Sequence, residues 1–262
     1  MRILFFGNNW VGWKITEWLK GQGEEIVGLV IHPLSRRKYG EEIINTIGLT
    51  KSHIFDGSRL REPGFIKVIR ALEPKMGISA CFGYLLRKEM LDLMPKGCLN
   101  IHPGFLPYGR GAFPNVWSIV EGTPTGVTLH YMDRDVDAGD IVAQKEILVE
   151  HVDTGKTLYH KLEHACVDLF EETWPLIKSG HAPRVPQKNH LKTCHKLKDV
   201  ERIDEIDLDQ TYKAKELINL IRARTFPPYP GAYFRYKGRK IYLRLQLLYE
   251  DQLRESFNEN LH

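Results

Sequence analysis

One segment of the chain combines residue types that can perform chemistry at a carbonyl carbon. Asn100 and His102 follow a short apolar run, and on a strand their side chains leave the same face with Cα atoms about 6.6 Å apart. Residues 103–111 follow directly, with two prolines and three glycines in nine positions, a composition typical of a rigid irregular loop. An asparagine N–H can stabilise a forming oxyanion while a histidine transfers protons. The segment therefore predicts a site for reactions in which a carbonyl carbon is attacked.

A second polar segment places four carboxylates within eight residues, Asp133, Asp135, Asp137 and Asp140. Their spacing differs from that of an EF-hand loop, and no glutamate follows at the twelfth position. Asp137 precedes Ala-Gly, a sequence that suits a turn in which one carboxylate points inward. Beside His102 such a carboxylate would fix the tautomer of the imidazole. The pattern alone does not bring the two residues together, and a solvated hairpin loop is the alternative.

The turn after the first apolar run is a candidate site for an anion. Its sequence, Gly-Asn-Asn-Trp-Val-Gly at residues 7–12, lacks the GxGxxG fingerprint of dinucleotide-binding proteins. The N–H groups at the start of the following helix could bind a phosphate or carboxylate, and an ordinary tight turn is the equal alternative. His160 and His164 are four residues apart but lack the HExxH pattern and a third ligand, so we expect no metal site.

Apolar runs that alternate with amphipathic segments indicate the fold class. The runs predict strands at 2–6, 26–31, 76–82 and 98–101, and helical spacing lies between them at 10–19, 65–72 and 85–94. This alternation predicts right-handed βαβ units in an α/β fold with a doubly wound, mostly parallel sheet. Such sheets bind ligands at the carboxyl ends of their strands, which is where Asn100 and His102 lie.

The pattern changes in the second half of the chain. Two further strands are predicted at 127–132 and 141–149, and then a long helix from Asp153 to about Lys178, with Gly180 as its stop. Prolines and basic residues interrupt all periodicity at 181–198. We place the domain boundary there, with a catalytic domain at 1–182 and a small C-terminal domain at 183–262. The latter is predicted to contain one helix and a β-hairpin around residues 237–238, too little for an independent core.

Composition excludes several classes of protein. The 262 residues contain 37 Lys and Arg against 33 Asp and Glu, a net charge of +4 that is too small for a polyanion-binding signature. No apolar run reaches the roughly 18 residues of a membrane span, and Gly7 interrupts the N-terminal run before a signal-peptide core could form. The four cysteines form no CxxC pair. We therefore expect a soluble, cytoplasmic protein without a disulfide framework or thiolate zinc site.

Four motifs in combination resemble the 10-formyltetrahydrofolate-dependent formyltransferase family. They are Asn-Ile-His-Pro from residue 100, Leu-Pro-x-x-Arg-Gly from 106, Gly-Val-Thr-Leu-His from 126 and Asp-Ala-Gly-Asp-Ile-Val-Ala-Gln from 137. The match covers at least residues 2–177. It implies a folate cleft at the strand ends, 10-formyltetrahydrofolate as co-substrate and no metal. Many relatives have Ser-Leu-Leu-Pro where this chain has Gly-Phe-Leu-Pro at 104–107.

The resemblance also implies roles for individual residues. Asn100, His102 and Asp137 would be catalytic: an amine attacks the formyl carbon, and Asn100 and protonated His102 hold the oxyanion while Asp137 tunes His102. The pterin would be held by two loops, which contain Tyr84, Leu85, Leu86, Asp133, Arg134, Asp135, Val136 and Asp137.

The residues after the long helix most resemble the C-terminal part of sugar N-formyltransferases. This implies a nucleotide-linked deoxyamino sugar as acceptor, a role in lipopolysaccharide or other surface-glycan biosynthesis, and a homodimer. Asn8, Asn9 and Arg110 are then candidates for binding the diphosphate. We expect no membrane and no nucleic acid partner. The alternatives are a methionyl-tRNA formyltransferase-like enzyme, for which a basic face through 188–198 would be required, and a formyltetrahydrofolate hydrolase that uses water as acceptor.

Overall fold

The computed structural model describes residues 1–253. Its strands are β1 (Arg2–Gly7), β2 (Glu25–Ile31), β3 (Ile54–Asp56), β4 (Met76–Ala80), β5 (Cys98–His102), β6 (Arg110–Gly111), β7 (Gly126–Tyr131), β8 (Ile141–Glu146), β9 (Cys194–His195), β10 (Tyr233–Tyr236) and β11 (Arg239–Tyr242). Its helices are α1 (Asn9–Gly21), α2 (Gly40–Ile47), α3 (Phe65–Arg70), α4 (Lys88–Leu91), α5 (Pro114–Glu121), α6 (Gly155–Ser179), α7 (Glu201–Asp204) and α8 (Ala214–Arg224).

Seven strands form one central sheet in the order β3-β2-β1-β4-β5-β7-β8. The first five are parallel to one another, while β7 pairs antiparallel with β5 and with β8. Packed hydrophobic clusters cover both faces of this sheet, which is why its central strands are continuous apolar runs. The predicted α/β fold with a mostly parallel sheet is confirmed. Chain order reverses at β1, so a crevice opens at the carboxyl ends of β1 and β4.

The long helix α6 covers one face of the sheet. Its buried stripe contains Leu158, Leu162, Ala165 and Leu169, as the sequence spacing predicts. The N-cap is Thr154, one residue after the predicted Asp153, and its hydroxyl accepts the N–H of Thr157. Gly180 adopts a left-handed conformation with φ of 79° and ends the helix, which confirms the predicted stop.

Two other regions differ from the sequence-based expectation. The helix expected over 85–94 shrinks to the single turn α4, because the chain after β4 stays irregular while Leu86 enters the core. The strand β3 was not predicted, since its three residues are too few for a recognisable alternation.

The segment 181–198, where we predicted the domain boundary, packs against the preceding part of the chain. Val185 forms a bridge with Ile141, and β9 pairs with β6. Beyond it, α8 lies tightly against the start of α6: a Cβ added to Gly155 would lie 2.1 Å from the carbonyl oxygen of Ala223. The predicted hairpin is present as β10 and β11. Within residues 1–253, every helix is too short or too polar to cross a bilayer.

Candidate active site

Asn100 and His102 lie at the carboxyl end of β5, beside β4 on one side and β7 on the other. In the antiparallel register with β7, Asn100 faces His130 and His102 faces Thr128. His102 is 5% exposed and reaches the wall of a large cleft. The sheet therefore presents both predicted residues at the edge where an open parallel sheet binds ligands.

His130 orients the amide of Asn100. The Nδ1 atom of His130 lies 2.8 Å from the carbonyl oxygen of Tyr131 and donates its hydrogen there. Its Nε2 atom is then free to accept the Asn100 Nδ2 hydrogen at 3.2 Å. Because an amide nitrogen has two hydrogens, the second one can point toward a reacting carbonyl. From the sequence we predicted no contact between His130 and Asn100, which are 30 positions apart.

The structure places Asp137 beside His102, which the sequence alone could not do. One carboxylate oxygen, Oδ2, lies 3.6 Å from His102 Nδ1 and accepts the N–H of Gly111 at 2.9 Å. The other, Oδ1, lies 3.6 Å from His130 Nε2. Burial raises the pKa of Asp137, but the nearby His102 and the N–H of Gly111 outweigh it and hold this pKa well below its usual range. A fixed negative charge therefore faces the His102 ring at neutral pH.

The other face of His102 is fixed by the Gly- and Pro-rich loop. His102 Nε2 donates to the carbonyl oxygen of Gly109 at 2.9 Å, so both ring nitrogens face oxygen acceptors. Thr128 holds the loop itself: its hydroxyl donates to the carbonyl oxygen of Gly104 and accepts the N–H of Leu106. The path of this loop is thus set by a side chain of the neighbouring strand.

Gly104→Ala is expected to lower kcat about tenfold, because its new Cβ would lie 2.6 Å from His102 Nε2 and 3.1 Å from the Gly109 oxygen. The ring must move, and small displacements of a catalytic group cost rate. Steady-state kinetics of the reaction that the sequence resemblance implies measures the effect. Gly21→Ala is the matched control, since a Cβ there meets no atom within 4 Å. Equal kcat values for the two variants would show that the Gly104 position does not fix His102.

Gln187 positions the loop that carries Asp137. Its Nε2 donates to the carbonyl oxygens of Asp137 and Gly139 at 2.8 and 2.7 Å, and its Oε1 accepts from Arg110. The Arg110 guanidinium also donates to Asn189 and is 5% exposed. Arg110, a candidate for the diphosphate, is therefore held inside this network and is not among the residues that line the cleft.

The two asparagines after β1 have different surroundings. Asn8 is buried, and its side chain accepts from the N–H of Lys38 and contacts His32. Asn9 lines the cleft in a left-handed conformation with φ of 66°, and its amide donates to Tyr159 and Glu163 at 2.5 and 3.0 Å. Asn8 thus holds the loop after β2, whereas Asn9 faces the space where a ligand would bind.

The two loops that the resemblance assigns to the pterin differ in exposure. After β4, Leu85 is exposed, Tyr84 is half-buried and Leu86 is buried. The N–H of Gly83 donates to His32 Nε2 at 3.1 Å, and burial, with the charge of Arg36, lowers the pKa of His32 so that the ring stays a neutral acceptor. In the other loop, residues 133–136 are exposed. Within residues 1–253, no three His, Cys, Asp or Glu side chains are arranged to hold a metal.

A cleft of about 1120 Å³ opens from His102 toward α6 and α8. Residues from five parts of the chain line it. They include His102, Pro103, Gly111, Phe113, Asn9, Trp10, Lys38, Tyr39, Tyr159, His160, Glu163, His164, Arg224, Phe226, Tyr229 and Pro230. Apolar and aromatic walls with a few charged groups are typical of sites for small molecules. The turn after α8 therefore completes a site whose chemical residues come from β5.

Comparison with known proteins gives two matches to families. Residues 1–173 match the formyl transferase family, and residues 199–249 match the N-formyltransferase dimerization C-terminal domain. Among curated relatives, the methionyl-tRNA formyltransferase of Syntrophus aciditrophicus is 30% identical over 91% of this chain and 77% of its own length.

Solved structures share the fold. A 4-N formyltransferase from Francisella tularensis aligns with a TM-score of 0.81 and 26% identity over 95% of this chain and 98% of its own. A formyltransferase from Anoxybacillus kamchatkensis, solved with UDP-4,6-dideoxy-4-formamido-L-AltNAc and tetrahydrofolate, aligns with a TM-score of 0.57 and 28% identity over 77% of this chain and 89% of its own. The family resemblance read from the motifs is confirmed.

Proposed function

The chain belongs to the formyl transferase family, and we propose that it transfers the formyl group of 10-formyltetrahydrofolate to the amino group of a nucleotide-linked deoxyamino sugar. The C-terminal part of the chain is the main support for this choice of acceptor. Residues 199–249 match the dimerization domain of N-formyltransferases, and the likeness to the Francisella 4-N formyltransferase extends over 95% of this chain. The cleft wall formed by 223–230 belongs to this same part.

The proposed reaction uses the three polar groups around β5. The acceptor amine attacks the formyl carbon, the N–H of Asn100 and the ring of His102 stabilise the oxyanion, and Asp137 holds His102 in orientation. The new C–N bond gives a tetrahedral intermediate, and this intermediate collapses when the bond from the formyl carbon to N10 of the folate breaks. The proton released by the amine ends on N10, which leaves tetrahydrofolate. The contact of Asn100 with His130 and the position of His102 beside Asp137 support this assignment.

We also propose that the chain forms a homodimer through its hairpin. Tyr236, Ile241 and Tyr242 on β10 and β11 are 41–56% exposed, and apolar groups clustered in this way are a frequent mark of a protein interface. The match of this region to a dimerization domain supports a second copy as the partner.

Formation of tetrahydrofolate tests the acceptor directly. The purified protein is incubated with 10-formyltetrahydrofolate and, separately, a panel of nucleotide-linked 3-amino and 4-amino sugars, initiator methionyl-tRNA, or water alone. Turnover with one amino sugar, far above the water control, is expected. The same sugar without its nucleotide is the matched control and should react poorly.

Other outcomes would replace the proposal with an alternative. Turnover with tRNA alone would make the chain a methionyl-tRNA formyltransferase-like enzyme, in line with the curated relatives and with the exposed lysines at 188, 192, 196 and 198. Equal turnover in all arms, water included, would indicate a formyltetrahydrofolate hydrolase.

A further inference from the structure

Lys38 lines the cleft and has no acidic partner among the described residues. Its Nζ atom contacts the hydroxyl of Tyr229 at 3.0 Å, and within residues 1–253 it forms no salt bridge. Two other basic groups on the wall are engaged: Arg224 pairs with Asp204 through two contacts, and His160 pairs with Glu163. An ammonium held only by a neutral hydroxyl keeps most of its attraction for an anion.

The backbone of Lys38 is fixed, although its side chain is exposed. Its N–H donates to the side chain of Asn8 at 2.8 Å, and its carbonyl oxygen accepts the N–H of Asn9 at 2.9 Å. The ring of Tyr229 is also held in place. Its centroid lies 5.5 Å from Lys38 Nζ, and the ring packs against Phe226. A ligand that binds here meets groups already positioned, which lowers the entropy cost of binding.

The donor count at this contact fits a phosphate. The ammonium has three hydrogens and gives one to the Tyr229 oxygen, and the hydroxyl keeps its own hydrogen because it acts there as the acceptor. No acceptor for that hydrogen lies among the described residues. Two kinds of donor, 3.0 Å apart at their heavy atoms, thus face one cleft, and neighbouring oxygens of a diphosphate can accept from both.

We propose that Lys38 and Tyr229 bind the diphosphate of the nucleotide-linked acceptor. This inference rests on the proposed function and adds the residues that hold the nucleotide. Lys38 comes from the loop after β2 and Tyr229 from the turn after α8, so the diphosphate lies between the sheet and the C-terminal part of the chain. The sugar then extends toward His102, which lines the same cleft.

Isothermal titration calorimetry with UDP, dTDP and GDP tests the site without any turnover. The variants are Lys38→Met, Lys38→Arg and Tyr229→Phe. Lys20→Met is the matched control. Lys20 is exposed near the C-terminal end of α1, whereas the cleft lies at the N-terminal end of this helix. For the nucleotide that binds best, Lys38→Met is expected to raise Kd about tenfold or more, and Lys38→Arg to stay within about threefold. Tyr229→Phe should raise Kd by about threefold, and Lys20→Met should leave it unchanged.

Kinetics separates binding from chemistry. Lys38→Met should raise KM for the nucleotide sugar with little change in kcat, since contacts equal in the ground and transition states alter KM alone. Higher salt should weaken nucleotide binding to the wild type more than to Lys38→Met.

The outcomes distinguish this inference from the proposed function. Turnover of a nucleotide sugar with the same Kd and KM in wild type and Lys38→Met would overturn the inference alone. If the wild type bound no nucleoside diphosphate, and Lys38→Met instead weakened its binding of tRNA, both proposals would be overturned. A tenfold loss confined to Lys38→Met among the two lysine-to-methionine variants would support the site.

Discussion

Asn100→Ala is expected to lower kcat by about 10²- to 10³-fold, the effect of removing one oxyanion donor. The amide is oriented by His130, which accepts one of its two hydrogens at 3.2 Å. The other hydrogen of the Asn100 amide is therefore oriented before the substrate arrives. In Asn100→Ala, a water molecule would have to be ordered in the vacated space to replace this donor. Because the contact strengthens as negative charge develops, KM for 10-formyltetrahydrofolate should change much less than kcat.

Asn45→Ala is the matched control for this experiment. Asn45 is an exposed asparagine on α2, so its removal should leave kcat within the error of the assay. Stopped or continuous measurement of tetrahydrofolate formation with saturating acceptor gives kcat for both variants. A loss below tenfold in Asn100→Ala would remove Asn100 from the role of oxyanion donor.

Asp137→Asn should lower kcat by about 10²- to 10⁴-fold, the range set by general acid–base catalysis and by loss of an orienting carboxylate next to a histidine. The charge that faces His102 Nδ1 at 3.6 Å disappears. A neutral amide oxygen at this place orients the ring and stabilises its positive charge much less than a carboxylate does. The acceptor of the Gly111 N–H can be retained by the amide oxygen, so the fold should survive.

The pH dependence of stability reports whether Asp137 carries the charge inferred for it. Its pKa is lower in the folded than in the unfolded chain, so its contribution is present above the unfolded value, near 4, and is lost as pH falls through that value toward the folded one. Asp137→Asn should therefore flatten the acid side of the curve of unfolding free energy against pH. Asp209→Asn, at an exposed turn, should keep the wild-type slope. Parallel curves for Asp137→Asn and wild type would contradict a lowered pKa.

Local patterns were sufficient to predict six of the seven strands of the sheet, all but β3, and the main candidate residues. The apolar runs of β1, β2 and β4 have no regular polar alternation because both faces of the sheet are covered. The position of Asn100 and His102 at a strand end then follows from chain direction. These signals come from residues close together in the chain, so a single sequence is sufficient to recognise them.

The contacts between distant segments could not be predicted in this way. His130 contacts Asn100 across 30 positions and Gln187 binds the Asp137 carbonyl across 50, and no periodicity records such a pairing. The cleft wall at 223–230 depends on how α8 packs against α6, where Gly155 permits the close approach. For Arg110, residue type suggested an anion ligand, but burial and its partners decide what the guanidinium binds.

The cleft shared between β5 and the turn after α8 has a consequence for the protein during its synthesis. Phe226 is made 124 residues after His102, which takes about 6 to 25 s at typical translation rates of about 5 to 20 residues per second. For that time a nascent chain has Asn100 and His102 but lacks the wall that closes the cleft. Ribosome-bound chains and prematurely terminated products thus present Asn100 and His102 in an incomplete cleft, and the cleft is complete only when the last quarter of the chain has emerged and docked.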